Sequence, residues 1–148
     1  MAAVKVLIID DDNAFVDTVA FVLEQQGYEM LTASNGAHGI ALAIMHRPDV
    51  ILCDVRMGEG HGYATAQTLR GKQETEKIPI IMITGFASPY GERRSRMAGA
   101  DYYLSKPVSI RDLVQTLEQA LKQGTKAKRS PDLIFPDRES ERERRKNQ

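Results

Sequence analysis

Three stretches of this chain are apolar at nearly every position and are only a few residues long: Val4 to Ile9, Val50 to Cys53 and Ile78 to Ile83. A strand with one face in water alternates apolar and polar residues. A strand that is apolar throughout is covered on both faces, as in a parallel sheet. Two further runs, Tyr28 to Ala33 and Tyr102 to Leu104, bring the number of predicted strands to five. Helical spacing fills the intervals. Phe15, Val16, Val19, Ala20 and Leu23 share one helical face, with Gly27 as a stop, and Ala37, Ile40, Ala41 and Ile44 make a second face closed by Pro48. A third helix runs from about Tyr63 to Lys72. A fourth begins at Ser88-Pro89, where Ser caps and Pro occupies the first turn. The fifth begins at Ser109, has Asp112 at capping-box spacing, and presents Ile110, Leu113, Val114, Leu117, Ala120 and Leu121 before Gly124. Five strands alternating with five helices predict an α/β fold, a parallel sheet covered on both sides.

The 148 residues suit one compact domain plus a tail, and 42% hydrophobic residues can build its core. Formal net charge is zero, so no global field favours nucleic acid or acidic lipid. The single cysteine, Cys53, excludes an internal disulfide and suits a reducing compartment. No apolar run reaches the roughly 20 residues of a membrane span, and the N-terminus lacks the pattern of a secretory signal. The expectation is a soluble, cytoplasmic protein. Charge divides the chain near Gly124. Residues 125 to 148 carry 8 Lys/Arg against 5 Asp/Glu, which leaves 12 against 15 for residues 1 to 124. The tail is therefore predicted to be a charged extension, disordered or partly helical, with one apolar island at Leu133-Ile134-Phe135.

In sheets of this type ligands sit beyond the carboxyl ends of the strands. Strand one ends in Asp10-Asp11-Asp12, strand three in Asp54, strand four in Thr84-Gly85, and strand five is followed by Lys106-Pro107. Clustered carboxylates repel one another and are costly to bury unpaired, so the cluster calls for a cation. An incomplete all-oxygen set suits Mg2+, whereas transition metals would prefer the His or Cys that these positions lack. Asp54 then stands as a carboxylate nucleophile of the aspartyl-phosphate kind. Mg2+, the Lys106 ammonium, the Thr84 hydroxyl and main-chain N–H groups around Gly85 would neutralise the oxygens of a transferring phosphoryl group. Each residue alone has a plainer reading. Asp12 is better placed to cap helix one than to bind metal, Thr84 could simply end a strand, and Lys106-Pro107 could be a loop. Cys53 reads as a core residue, and His38, His46 and His61 as scattered surface positions. The four signals at successive strand ends carry the argument together.

These runs resemble the response-regulator receiver family: Val6 to Asp12, Asp49 to Met57, Ile81 to Gly85, and Gly99 to Pro107. The resemblance covers residues 4 to 122 in order. It implies a flavodoxin-like (βα)5 fold with strand order 2-1-3-4-5. It implies that Asp54 accepts a phosphoryl group from a phosphohistidine on a sensor histidine kinase or a histidine phosphotransfer protein. Asp11 and Asp54 would bind Mg2+ directly, Asp10 through water, and the main-chain carbonyl of Arg56 would complete the protein ligands. Thr84 and Lys106 match the residues that contact the phosphoryl group, and Tyr103 matches the aromatic switch partner of Thr84. The face from strand four to helix five would then engage a downstream protein, and a homodimer is compatible with such a chain. Such a protein is a phosphoacceptor that assists its own phosphorylation and dephosphorylation, not a turnover enzyme. In the family, side chains at the positions of Arg56 and Phe86 flank the path of the water that removes the phosphoryl group.

One departure stands out. The family usually has Pro after Met57 and then Asp-Gly, whereas this chain has Gly58-Glu59-Gly60-His61-Gly62, a freer backbone beside the metal site. Helix four carries Glu92, Arg93, Arg94 and Arg96 with few apolar anchors, which suits a surface that shifts. Residues 125 to 148 are too few to form a DNA-binding domain. Three other functions fit these residues less well. A phosphate-independent pseudo-receiver need not keep the full acidic, hydroxyl and lysine set. A haloacid-dehalogenase-like phosphatase would place its nucleophile after strand one and carry a cap domain. A flavodoxin-like FMN carrier would need a phosphate loop where this chain has three acids.

Overall fold

The structure, a computed structural model, describes residues 2–57 and 62–124. The predicted tail with its Leu133-Ile134-Phe135 island lies outside the described residues, as do positions 58–61 of the glycine-rich run. Ten elements alternate: β1 (Lys5–Ile9), α1 (Asn13–Gln25), β2 (Glu29–Ala33), α2 (Gly36–His46), β3 (Val50–Asp54), α3 (Gly62–Gly71), β4 (Ile80–Thr84), α4 (Pro89–Met97), β5 (Tyr102–Ser105) and α5 (Ile110–Gln123). All pairings are parallel, in the order β2-β1-β3-β4-β5. This is the flavodoxin-like (βα)5 arrangement.

The continuous apolar strands now have their explanation. Leu7, Ile9, Ile51, Cys53, Ile80 and Met82 point into a core shared with α2 and α3. Their neighbours Val6, Ile8, Val50, Leu52, Ile81 and Ile83 point into a second core shared with α1 and α5. Successive side chains of a strand leave opposite faces, so covering both faces demands apolar residues at every position. The edge strands β2 and β5 are only partly buried.

Helix starts follow side-chain caps. The Asp12 carboxylate accepts from Phe15 N–H at 3.2 Å, so the capping role outweighs metal binding for this residue. Ser88 Oγ accepts from Gly91 N–H at 2.9 Å and Ser109 Oγ from Asp112 N–H at 3.1 Å.

The predicted face of α2 needs correction. Ala37 and Ala41 are exposed, and the helix instead buries Gly36, Gly39 and Ala43. A Cβ at Gly39 would run into the Ile9 side chain, and one at Gly36 into Thr65. The two glycines let α2 lie closer to its neighbours than any apolar side chain would allow. Ile110, assigned to the buried face of α5, is 49% exposed at that helix's first turn.

Gly39→Ala is therefore expected to lose about 1–3 kcal/mol through overpacking. Gly71→Ala, at the end of α3 with open space around it, should be neutral or gain up to about 1 kcal/mol. Urea unfolding of both variants checks the contrast, and equal effects would remove the packing explanation.

Candidate functional site

The parallel ladder sets the carboxyl ends of β1, β3, β4 and β5 along one edge. Cys53 pairs with Ile9, Asp54 with Ile83 and Thr84 with Ser105, so Asp10, Asp54, Thr84 and Lys106 emerge side by side. Asp10 and Asp54 are buried, at 1% and 6% exposure, while Asp11 is exposed. One carboxylate oxygen from each of the three lies within 4.8 Å of the others. Asp12 is excluded from this group by its capping role.

Lys106 closes the cluster. Its Nζ donates to Asp10 Oδ2 at 2.8 Å and stands 3.9 Å from Asp54 Oδ1. Its main-chain N–H donates to the Thr84 carbonyl at 2.7 Å, which ties the β5–α5 segment to the end of β4. The Lys106–Pro107 peptide is cis. Asp10 has its second oxygen engaged too, accepting from Asp12 N–H at 2.9 Å. Thr84 is buried, and its Oγ accepts from Phe86 N–H at 3.1 Å, so the hydroxyl proton is left for another acceptor. Gly85, next to it, is exposed.

Electrostatics here are unbalanced. Burial, and after it the Asp10 carboxylate, push the Asp54 pKa from 3.8 up to about 6, against the pull of Lys106 and of the Arg56 main-chain N–H, with Asp11 adding to the rise. One ammonium does not neutralise three carboxylates. The surplus negative charge and the all-oxygen donors fit a hard divalent cation such as Mg2+. With both Asp10 oxygens hydrogen-bonded, Asp11 and Asp54 are the freer ligands. Cys53, one residue from Asp54, is fully buried, and burial, with the Asp54 and Asp10 charges added, pushes its thiol up, out of reach of thiolate chemistry.

The rim holds the remaining candidates. Arg56 lies two residues past Asp54, exposed, with its guanidinium 4.2 Å from the centroid of the Phe86 ring, which is 67% exposed. The two positions predicted to flank the site are therefore stacked on each other. Tyr103 is turned inward: its hydroxyl is buried without a hydrogen-bond partner and sits where a Cβ on Gly91 would collide with it. Of the glycine-rich run only Gly62 is described. It packs on the Asp54 and Val55 main chain, with its N–H donating to the Val55 carbonyl at 2.9 Å.

Two features escaped the sequence. Phe15, read as core, lies under the Lys106 ammonium with Nζ 4.3 Å from its ring centroid. Arg70, on α3, pairs with Asp101 at 2.9 Å and donates to the main-chain carbonyls of Glu76, Ile78 and Gly99. Asp101 is 31 residues from Arg70 in the chain, and the arginine staples the loops that enter β4 and β5 at the opposite end of the sheet.

A doubly wound parallel sheet thus brings an acidic cluster, a buried threonine and a lysine together around one strand-end aspartate. Residues 6–118 match the model of the response regulator receiver domain, and this chain belongs to that family. It is 34% identical over 117 residues to the polar-differentiation response regulator DivK of Brucella anthropi, covering 79% of this chain and 95% of DivK. It is also 34% identical over 118 residues to the DNA-binding regulator RpaA of Synechocystis, covering 80% of this chain but only 49% of RpaA. Among solved structures, the chemotaxis protein CheY4 of Vibrio cholerae superposes with a TM-score of 0.77 at 33% identity, covering 80% of this chain and 98% of CheY4. No helix among the described residues is long and apolar enough to cross a membrane.

The raised Asp54 pKa carries a sign for stability. Between about pH 4 and 6 the folded protein holds a proton that the unfolded chain has released, so this group's charge destabilises the metal-free fold increasingly as pH rises through that window. Asp54→Asn should therefore stabilise the metal-free protein by about 1–2 kcal/mol at pH 7, after discounting for solvent screening. The gain should vanish below about pH 4. Thermal unfolding across pH 3.5 to 7.5 checks this, and a gain that is flat with pH would remove the electrostatic cause.

Proposed function

We propose that the protein is a phosphorylation switch in which Asp54 accepts a phosphoryl group from a phosphohistidine on a sensor kinase or phosphotransfer protein. The observation that carries this reading is the convergence of Lys106 and two buried carboxylates on one strand-end edge, with the Thr84 hydroxyl beside them. In the transfer, an Asp54 carboxylate oxygen forms a bond to phosphorus. The P–N bond of the donor breaks, and its electron pair stays with the departing imidazole nitrogen, which takes up a proton. Asp11 and Asp54, with Asp10 behind them through water and the main-chain carbonyl of Arg56, would hold Mg2+, which when bound screens the charge between nucleophile and phosphoryl oxygens. Lys106 compensates charge on one phosphoryl oxygen and the Thr84 hydroxyl donates to another, with the N–H groups about Gly85 nearby. As Thr84 turns toward the phosphoryl group, Tyr103 follows the space it leaves. The face from β4 to α5 changes shape and engages a downstream protein. DivK is a polar-differentiation regulator and CheY4 a chemotaxis protein, each matched over nearly its whole length, and their signalling supports a partner-binding output here.

Three measurements test the reading. Intact mass after incubation with acetyl phosphate should rise by one phosphoryl group in the presence of Mg2+, and not for Asp54→Ala. No gain in folded wild type with excess Mg2+ would favour a phosphate-independent binding module. Mg2+ alone should raise the melting temperature of wild type, because ligand binding to the native state stabilises it, and should do so far less for Asp11→Asn. If the bulk of the stacked Arg56 and Phe86 side chains slows attack by the hydrolytic water, Phe86→Ala should shorten the phosphoryl lifetime by about two- to ten-fold. An unchanged decay rate would assign the stack no role in protection.

A further inference from the structure

Four rotatable bonds separate the Lys106 ammonium from its backbone, and ordering such a side chain costs up to about 2 kcal/mol in lost rotamers. The main chain is fixed through the Thr84 carbonyl, but that leaves the ammonium itself free to wander. Asp10 holds it at 2.8 Å. That contact is conditional, because a cation bound among the same carboxylates competes with the ammonium for Asp10.

Phe15 supplies a contact that does not draw on the carboxylates. Its ring centroid lies 4.3 Å from Nζ, and the Lys106 side chain is only 21% exposed, so the ammonium is partly stripped of water where it meets the ring. The electron-rich face of an aromatic ring attracts a cation in this geometry. The ring is itself held. Phe15 stands in the first turn of α1, its N–H donates to the Asp12 cap, and it packs against the core of Val16, Val19 and Leu113. It also lines an apolar groove of about 410 Å³ with Pro107, Val22 and Ile110. Phe15 thus links the acceptor site to the α1–α5 face.

We propose that Phe15 is a positioning residue for Lys106: its ring keeps the ammonium beside Asp54 when the carboxylates are taken up by the cation and the incoming phosphoryl group. The inference rests on the reading of Asp54 as phosphoacceptor. With acetyl phosphate as donor, the Asp54 carboxylate oxygen bonds to phosphorus, the P–O bond breaks, and acetate departs with the electron pair. Lys106 keeps its proton throughout and compensates the charge of the phosphoryl oxygens.

The experiment follows phosphorylation by acetyl phosphate at saturating Mg2+, using intact mass, for wild type and three replacements at position 15. Phe15→Leu keeps apolar bulk and removes the aromatic face. Phe15→Tyr keeps the face. Pentafluorophenylalanine keeps the shape and reverses the ring's charge distribution. The leucine and pentafluoro proteins should be phosphorylated about three- to ten-fold more slowly, and Phe15→Tyr should restore the wild-type rate. In parallel, the Lys106 ε-methylene proton resonances, shifted upfield by the ring in wild type and Phe15→Tyr, should lose that shift in Phe15→Leu. A wild-type rate in Phe15→Leu overturns the proposal while leaving the phosphoacceptor reading intact. So does a pentafluoro protein as fast as wild type, which would reduce the ring to a space filler, or an ε-methylene shift that survives Phe15→Leu. If wild type itself takes no phosphoryl group, the phosphoacceptor reading fails and this inference falls with it.

Discussion

The Lys106 ammonium, 2.8 Å from Asp10 and 3.9 Å from Asp54, is the contact that lets two buried carboxylates stand at neighbouring strand ends. Without a positive charge between them, two carboxylates in a dry environment would not both remain ionised. The lysine and Asp10 are 96 residues apart, so the pair exists only once the whole sheet is assembled. Parallel pairing is what permits it, because it alone sends β1, β3, β4 and β5 out along one edge. The compensation is incomplete. Asp54 remains shifted upward, and the surplus negative charge is what the proposed divalent cation would offset. At this residue burial disfavours the very charge that the proposed chemistry needs.

The scaffold around this edge is tight where it needs to be. Gly62 brings α3 against the main chain of Asp54 itself, and Gly39 brings α2 onto Ile9, the residue before Asp10. Both acidic residues therefore rest on backbone that a glycine-mediated contact holds from behind. Arg70 does the complementary work at the far end, where burial pulls its guanidinium down in pKa while Asp101 opposes the shift. The pair fixes the loops that enter β4 and β5, and hence the starting point of the strands that deliver Thr84 and Lys106.

Much of this was legible from residue order. Apolar runs without alternation revealed a sheet covered on both faces, and the charged or hydroxylated residue closing each run marked the site. Ser88, Ser109 and Asp12 declared their helix starts, because capping is a local interaction. What stayed hidden is of two kinds. Glycine carries no hydrophobic signal, so spacing alone turns α2 toward its alanines, whereas close approach at Gly36 and Gly39 decides its orientation. Contacts between residues remote in the chain leave no periodic trace either. Phe15 fell on the core face by spacing, and nothing local marks it as the platform for Lys106; Arg70 looks like any helix-surface arginine until Asp101 is beside it.

The face proposed for output is built from weak contacts. Helix α4 buries only Gly91 and Ser95, so it brings no large apolar side chain to the core. It is tied to its surroundings by contacts that cost little to remake, such as the Arg94 guanidinium 4.5 Å from the Tyr63 ring and the exposed Glu92–Arg96 pair. Beneath it, the hydroxyls of Tyr103 and Ser95 are buried without partners. Each such hydroxyl costs about 1–3 kcal/mol relative to a satisfied one. The inward Tyr103 is therefore packed well and hydrogen-bonded badly, while an outward one would reverse the balance. Two arrangements close in energy are what a switch requires, because a signal can shift a population only by its differential interaction with the two states. In the proposed switch, a phosphoryl group on Asp54 would draw the Thr84 hydroxyl away from Phe86 N–H and so act on the β4–α4 loop, to which this loosely held helix is joined. Under the proposed function, a small electrostatic event at Asp54 would bias the position of Tyr103 through this loop.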